Sequence, residues 1–277
     1  EDFSPFDVNV VTDRSVFEAT PRNRRMMCIF TPTDTAQPGS GGVAFLDSFS
    51  WNADDPCWGY NIGDGKQAGD IGLHEVGHTM GLEHDGRGAT EYYEGHGSWG
   101  PIMGFSLGKP IAQWSLGEYS NASKYQNDLL IIAGNQNNFG FVPDDHGDTT
   151  NTATELEADG SGAVNASQNT GIVRTRDDID LFSFLAEAGE ATFTFNPHDV
   201  HPNLDIQARL LDTNGSEVVA SNPTGLGASL TANLTPGLYF LEVQGAGSGT
   251  VDTGYSDYAS LGQYSISGHY SVQTPQN

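Results

Sequence analysis

Three histidines and a carboxylate stand at fixed offsets in the run His74-Glu75-Val76-Gly77-His78-Thr79-Met80-Gly81-Leu82-Glu83-His84-Asp85. On a helix, residues four apart project from the same face, so His74 and His78 can offer imidazole nitrogens to one metal ion. Glu75 then lies beside the first of them. Gly81 falls where such a helix should stop, because glycine tolerates the left-handed backbone that ends one. The chain can turn back there and bring His84 to the same ion. Three neutral imidazoles leave the fourth position of tetrahedral Zn2+ open for water, which is the catalytic rather than the structural arrangement. Zinc lowers the pKa of a bound water towards about 7. Glu75 is placed to take that proton as general base and to return it to a leaving amine. A water activated in this way can attack a carbonyl, as in the hydrolysis of an amide.

The elements that must position these groups are read from the flanking sequence. Residues 6–12 alternate apolar and polar and predict a strand, and residues 24–31, 42–49 and 57–62 predict three more. Asp70 stands as an N-cap before Ile71. Residues 87–109, rich in glycine and aromatics, predict an ordered loop, and residues 118–132 a second helix. The polar, turn-forming stretch Asp144-Asp145-His146-Gly147-Asp148 marks a boundary after Pro143, dividing the chain into 1–143 and 144–277. Beyond it, short alternating runs recur with turns between them, Asn214-Gly215 joining two as a hairpin. No helix is predicted there. That pattern is an all-β antiparallel sandwich or jelly roll.

The 277 residues carry a formal charge of −25, from 36 acidic against 11 basic. Phosphate would be repelled, which argues against nucleic acid as a partner. No apolar run is long enough to span a membrane. Acids clustered in loops suit Ca2+, which takes six to eight oxygens; Asp177, Asp178 and Asp180 are the candidate ligands. Cys28 and Cys57 can close one disulfide, the expected state; two buried free thiols are the alternative.

A methionine follows the histidine run in Gly100-Pro101-Ile102-Met103-Gly104. The long motif with this later turn resembles the metzincin metallopeptidases, in which such a methionine floors the metal site. Asp85, directly after the third histidine, resembles the adamalysin or reprolysin branch, in a bacterial secreted form. The resemblance covers roughly residues 1–140. It implies His74, His78 and His84 as zinc ligands and Glu75 as base, with Met103 and Asp85 supporting them; Asp85 would accept hydrogen bonds that tie His84 to the methionine turn. The implied fold is an α+β catalytic domain, a mixed, mostly parallel sheet plus an active-site helix. The strand beginning at Gly41 matches the edge on which metzincins lay an extended peptide substrate. Some metzincins carry a zinc-reaching tyrosine two residues after the methionine. Phe105 stands there, so no tyrosine ligand is expected. Tyr92, Tyr93, Tyr119 and His96 are read as packing residues with a possible approach to substrate. The domain's usual first strand and helix are expected to be missing or on a separate N-terminal fragment, with residues 1–4 as the end of that helix.

Residues 144–272 resemble the bacterial pre-peptidase C-terminal domain, a secreted β-sandwich. The similarity rests on Asp145-His-Gly-Asp-Thr149, Asp177-Asp-Ile-Asp180-Leu-Phe-Ser-Phe184, Leu211-Asp-Thr-Asn-Gly215 and Thr235-Pro-Gly-Leu-Tyr-Phe-Leu-Glu-Val243. Such domains are removed on maturation or help bind insoluble substrate. Together these features imply a secreted, extracellular zinc endopeptidase. An inactive binding or adhesion protein on the same frame is the competing expectation.

Overall fold

The computed structural model describes residues 1–273. In chain order the elements are α1 (Arg14–Ala19), β1 (Cys28–Thr31), β2 (Gly42–Val43), β3 (Cys57–Tyr60), α2 (Gly65–Thr79), β4 (Trp99–Pro101), β5 (Ile111–Gln113) and α3 (Asp128–Ile132). They continue with β6 (Thr154–Glu155), β7 (Ala163–Val164), β8 (Thr170–Val173), β9 (Ile179–Ala186), β10 (Gly189–Pro197), β11 (Ile206–Leu211), β12 (Glu217–Ser221), β13 (Ala228–Leu234), β14 (Gly237–Gly245) and β15 (Gly262–His269).

The expected α+β domain is not what forms. Strand residues make up 31% of the chain against 12% helix, a β-rich fold. In place of a mostly parallel sheet, the first half holds a three-stranded sheet ordered β1-β3-β2, one pair parallel and the other antiparallel, and a separate parallel pair β4-β5. The reasons are local. Residues 8–11 have no neighbouring strand; only Phe6 makes a bridge, to Phe141, and Val10 stands in solvent. A strand without a partner has no ladder to complete. The run predicted over 42–49 stops after Val43. Asp47 takes a positive φ, and the backbone N–H groups of Asp47 and Phe49 turn onto the last carbonyls of α2, those of His78 and Thr79. The helix predicted over 118–132 shrinks to α3 because Asn121 adopts a left-handed φ and Asn127 caps the shorter helix through Leu130 N–H. Residues 1–4 form turns rather than the end of a helix.

The second half makes two five-stranded sheets. One runs β13-β10-β15-β7 with β8 also on β15; the other runs β12-β11-β14-β9-β6. Their pairs are antiparallel except β6 with β9. Period-two alternation places Ala191, Phe193 and Phe195 of β10 in the core with Leu230 of β13, and Phe182 and Phe184 of β9 with Ile206, Ala208 and Leu210 of β11. These side chains fill the space between the sheets. The same buried cluster continues into the first half through Phe6, Met80, Leu82, Met103 and Trp114.

Polar contacts reinforce that continuity. Gln113 Nε2 donates to Asn203 O at 3.0 Å, and His96 bridges Tyr93 Oη and Gly254 O. Tyr258 Oη donates to Asn127 Oδ1 at 2.9 Å and accepts from Leu129 N–H at 3.0 Å, so a sandwich residue completes the start of α3. Tyr255 packs with Tyr93, Trp99 and Tyr119. The segment between β14 and β15 thus clasps the first half.

The expected disulfide is not formed. Cys28 and Cys57 are directly opposed across the parallel pair β1-β3 and remain free thiols. The neighbouring Cys28 thiol, then burial, push the Cys57 thiol upward. Among the described residues, no helix is long and apolar enough to cross a membrane.

Candidate metal centre

Helix α2 is capped by Asp64, whose side chain accepts from Gln67 N–H, so the expected cap Asp70 lies inside the helix, which presents His74 and His78 one turn apart. It lies close on the methionine turn. A Cβ on Gly77 would meet Met103 Sδ at 2.6 Å, so only glycine allows this approach. The helix ends at Met80, and Gly81 follows at φ 102°, a backbone unsuited to a side chain. The chain then reverses and brings His84 back to the other two rings. Ring centroids are 4.8 Å apart for His74–His78, 4.7 Å for His78–His84 and 5.4 Å for His74–His84. One nitrogen from each lies within 4.8 Å of the others.

The outer nitrogens fix the tautomers. His74 Nδ1 is 2.8 Å from Ile102 O and His78 Nδ1 is 2.7 Å from Leu82 O. A carbonyl can only accept, so each Nδ1 carries the hydrogen and each Nε2 is left bare. His84 Nδ1 meets Glu91 Oε1 at 2.8 Å in the same sense. The bare nitrogens of His78 and His84 then face each other at 3.0 Å. Two lone pairs at that distance repel unless a cation lies between them. Tetrahedral zinc would set its nitrogens about 3.3 Å apart. The donor set therefore fits a single zinc ion. Burial, then the charge of His78, hold His74 down at about 3, so this ring stays neutral as a ligand must.

Glu75 is buried beside the triad, and desolvation raises its carboxyl to about 7. Met103 is fully buried beneath α2. Asp85 holds the methionine turn through its backbone: its N–H donates to Met103 O at 2.8 Å and its carbonyl accepts from Tyr93 N–H. Its side chain does not reach His84. Asp85 Oδ2 is buried without a hydrogen-bond partner, and burial raises its pKa to about 7. Glu91 makes the contact expected of Asp85. Nothing in the spacing marks Glu91, seven residues beyond His84 across a turn that only folding defines.

The triad opens into a cleft of about 1030 Å³ bounded by Gly42, Val43 and Leu46 on one side and Tyr92, Phe105 and Leu107 on the other. β2 is an outer strand of its sheet, so its free edge faces this cleft. Tyr92 lies over His84 with centroids 4.2 Å apart, whereas Tyr93 and Tyr119 are buried in the aromatic cluster. His96 makes internal hydrogen bonds through both ring nitrogens.

The acidic residues of the second half gather differently from the sequence expectation. Asp144, Asp148 and Asp178 form one group with oxygens within 4.8 Å, and Asp144, Asp145 and Asp180 form another. Asp177 belongs to neither. Asp178 Oδ1 and Asp180 Oδ1 are buried and unpaired, although Arg174 N–H and Tyr264 O–H donate to their other oxygens. Desolvation raises Asp178 to about 6 and Asp180 to about 8. In the sequence Asp144, Asp145 and Asp148 mark a junction, and Asp145 to Thr149 part of the pre-peptidase similarity, but nothing in their spacing marks them as ligands.

No protein-family model matches the chain, and no curated protein matches it. Among solved structures it is similar to the pre-peptidase C-terminal domain of collagenase from Bacillus anthracis, at 17% identity over 42% of this chain and 93% of that one, TM-score 0.29. It is also similar to PliG from Aeromonas hydrophila, a periplasmic inhibitor of g-type lysozyme, at 10% identity over 43% and 95%, TM-score 0.28. A third similarity is to the Yersinia pseudotuberculosis-derived mitogen, at 14% over 39% and 86%, TM-score 0.24.

Proposed function

We propose that the chain is a secreted zinc-dependent endopeptidase acting on proteins or peptides. The observation that carries this reading is the inward convergence of three imidazoles whose outer nitrogens are already committed, beside a buried carboxyl in an open cleft. The motif's resemblance to metzincin peptidases supports the same chemistry, here on a β-rich chain.

His74, His78 and His84 hold the ion. Zinc, when bound, activates water and polarises a carbonyl as a Lewis acid. Glu75 accepts the proton of the attacking water and passes it to the departing amine; its raised pKa suits a group that must both take and release a proton near neutrality. The free edge of β2 pairs with an extended peptide backbone and aligns the scissile bond along the cleft. Tyr92, Phe105 and Leu46, all exposed at the cleft, offer apolar contact to substrate side chains.

The buried, unpaired oxygens of Asp178 and Asp180, with Asp144, Asp145 and Asp148 around them, support a calcium site in the sandwich. The ion would compensate carboxylates that burial otherwise opposes.

Casein or a fluorogenic peptide library tests the peptidase reading. Hydrolysis should vanish on treatment with a zinc chelator, return with one equivalent of zinc, and be absent in Glu75→Ala. A protein that binds zinc stoichiometrically and cleaves nothing would favour a binding role instead.

A further inference from the structure

We propose that Glu91 is the positioning residue for the third metal ligand, so that the affinity and exchange rate of the ion are set largely at this one side chain. The inference rests on the reading of His74, His78 and His84 as a zinc site. The three ligands are not held alike. His74 and His78 share a helix, and their outer nitrogens donate to main-chain carbonyls, those of Ile102 and Leu82. His84 lies beyond the helix in irregular chain, so it inherits no orientation from α2. Its outer nitrogen meets a side-chain carboxylate, Glu91 Oε1 at 2.8 Å, on a residue that is itself 68% exposed.

Local backbone explains how Glu91 arrives there. Arg87 and Thr90 exchange both hydrogen bonds across a tight turn, and Tyr93 N–H donates to Asp85 O. Residues 91–93 therefore return alongside residues 84–87. Glu91 reaches the edge of the His84 ring while Tyr92 covers its face. The carboxylate fixes the Nδ1–H tautomer, aims Nε2 inward and raises the basicity of the ring. Asp85 does none of this, since its carboxyl is buried away from His84 without a partner.

Removal of a carboxylate that orients a metal-bound histidine typically weakens binding about 10–100-fold. The test uses the full chain and measures zinc affinity by competition with a chromophoric chelator, together with the rate of zinc release and the melting curve of the metal-free protein. Glu91→Ala should bind zinc about 10–100-fold more weakly and release it faster, with metal-free melting unchanged. Glu91→Gln retains an acceptor for Nδ1–H and should recover most of the loss, which a merely structural role would not require. Glu94→Ala, in the same loop and without a hydrogen bond to the triad, should bind as the parent does. Parental affinity in Glu91→Ala, or an equal loss in Glu94→Ala, overturns the proposal while leaving the zinc site standing, provided His74→Ala abolishes binding. Absence of zinc binding by the parent protein itself would overturn both.

Discussion

Gly42 offers a sensitive probe of the candidate centre because it is the residue of β2 that faces Glu75, the proposed general base. A Cβ built on Gly42 would lie 2.7 Å from Glu75 Cδ and closer still to Oε1, while Trp58 O stands 2.5 Å away on the sheet side. Ordinary carbon contacts are about 3.5–4.0 Å, so an alanine methyl requires a shift of about 1 Å. The neighbouring strand blocks retreat in one direction, because β2 is paired to β3 through this same residue. The carboxyl of Glu75 is the side chain free to give way. Displacement of a reacting group by about 1 Å can cost about 10²-fold in rate. Overpacking on this scale also costs about 1–3 kcal/mol of stability. Gly42→Ala should therefore lose about 10²-fold in kcat/KM on a fluorogenic peptide while still binding one zinc with near-parental affinity. Calorimetry on the same sample would report the stability change. A zinc-loaded Gly42→Ala protein with parental turnover would refute the packing of Gly42 against the base.

Denatured, unreduced protein should titrate as two free thiols per chain, since Cys28 and Cys57 are unbonded; a zero count would reverse that correction. Burial raises Asp180 from 3.8 to about 8, so the folded chain holds a proton that the unfolded chain releases, and stability should fall as pH rises across that window. Calcium should remove the fall and raise the melting temperature at pH 8, and Asp180→Asn should make melting indifferent to calcium. Tyr258→Phe strips the donor to Asn127 and the acceptor for Leu129 N–H; a loss of about 1–3 kcal/mol is expected in denaturant unfolding.

The candidate metal centre was legible because its geometry is almost wholly local. Helical spacing aligns His74 with His78, and Gly81 is needed at a positive φ two residues past the helix. The pairing of β11 with β12 was equally plain, for Asn214-Gly215 lies in the turn between them. The frame around the centre was not. Residues 6–12 alternate as a strand does, yet only Phe6 finds a bridge partner, Phe141, and residues 118–126 carry apolar spacing that the left-handed Asn121 overrides. Partners brought together only by folding were invisible for the same reason. Glu91 on His84, Tyr258 on α3 and Asp144 beside Asp180 depend on how the chain packs and not on any period within it.

The segment joining β14 to β15 has a consequence for how the molecule comes apart. It supplies the acceptor for His96, the partner for the start of α3 and a ring for the aromatic cluster behind the methionine turn. With one apolar cluster running through both halves, neither can loosen without exposing the other. Thermal unfolding should then appear as a single cooperative transition rather than two. A nick in residues 246–259 should lower the melting temperature of the whole chain, because the cut would release Tyr258 from α3 and Tyr255 from the aromatic cluster. The second half would then govern how long the candidate metal centre stays folded.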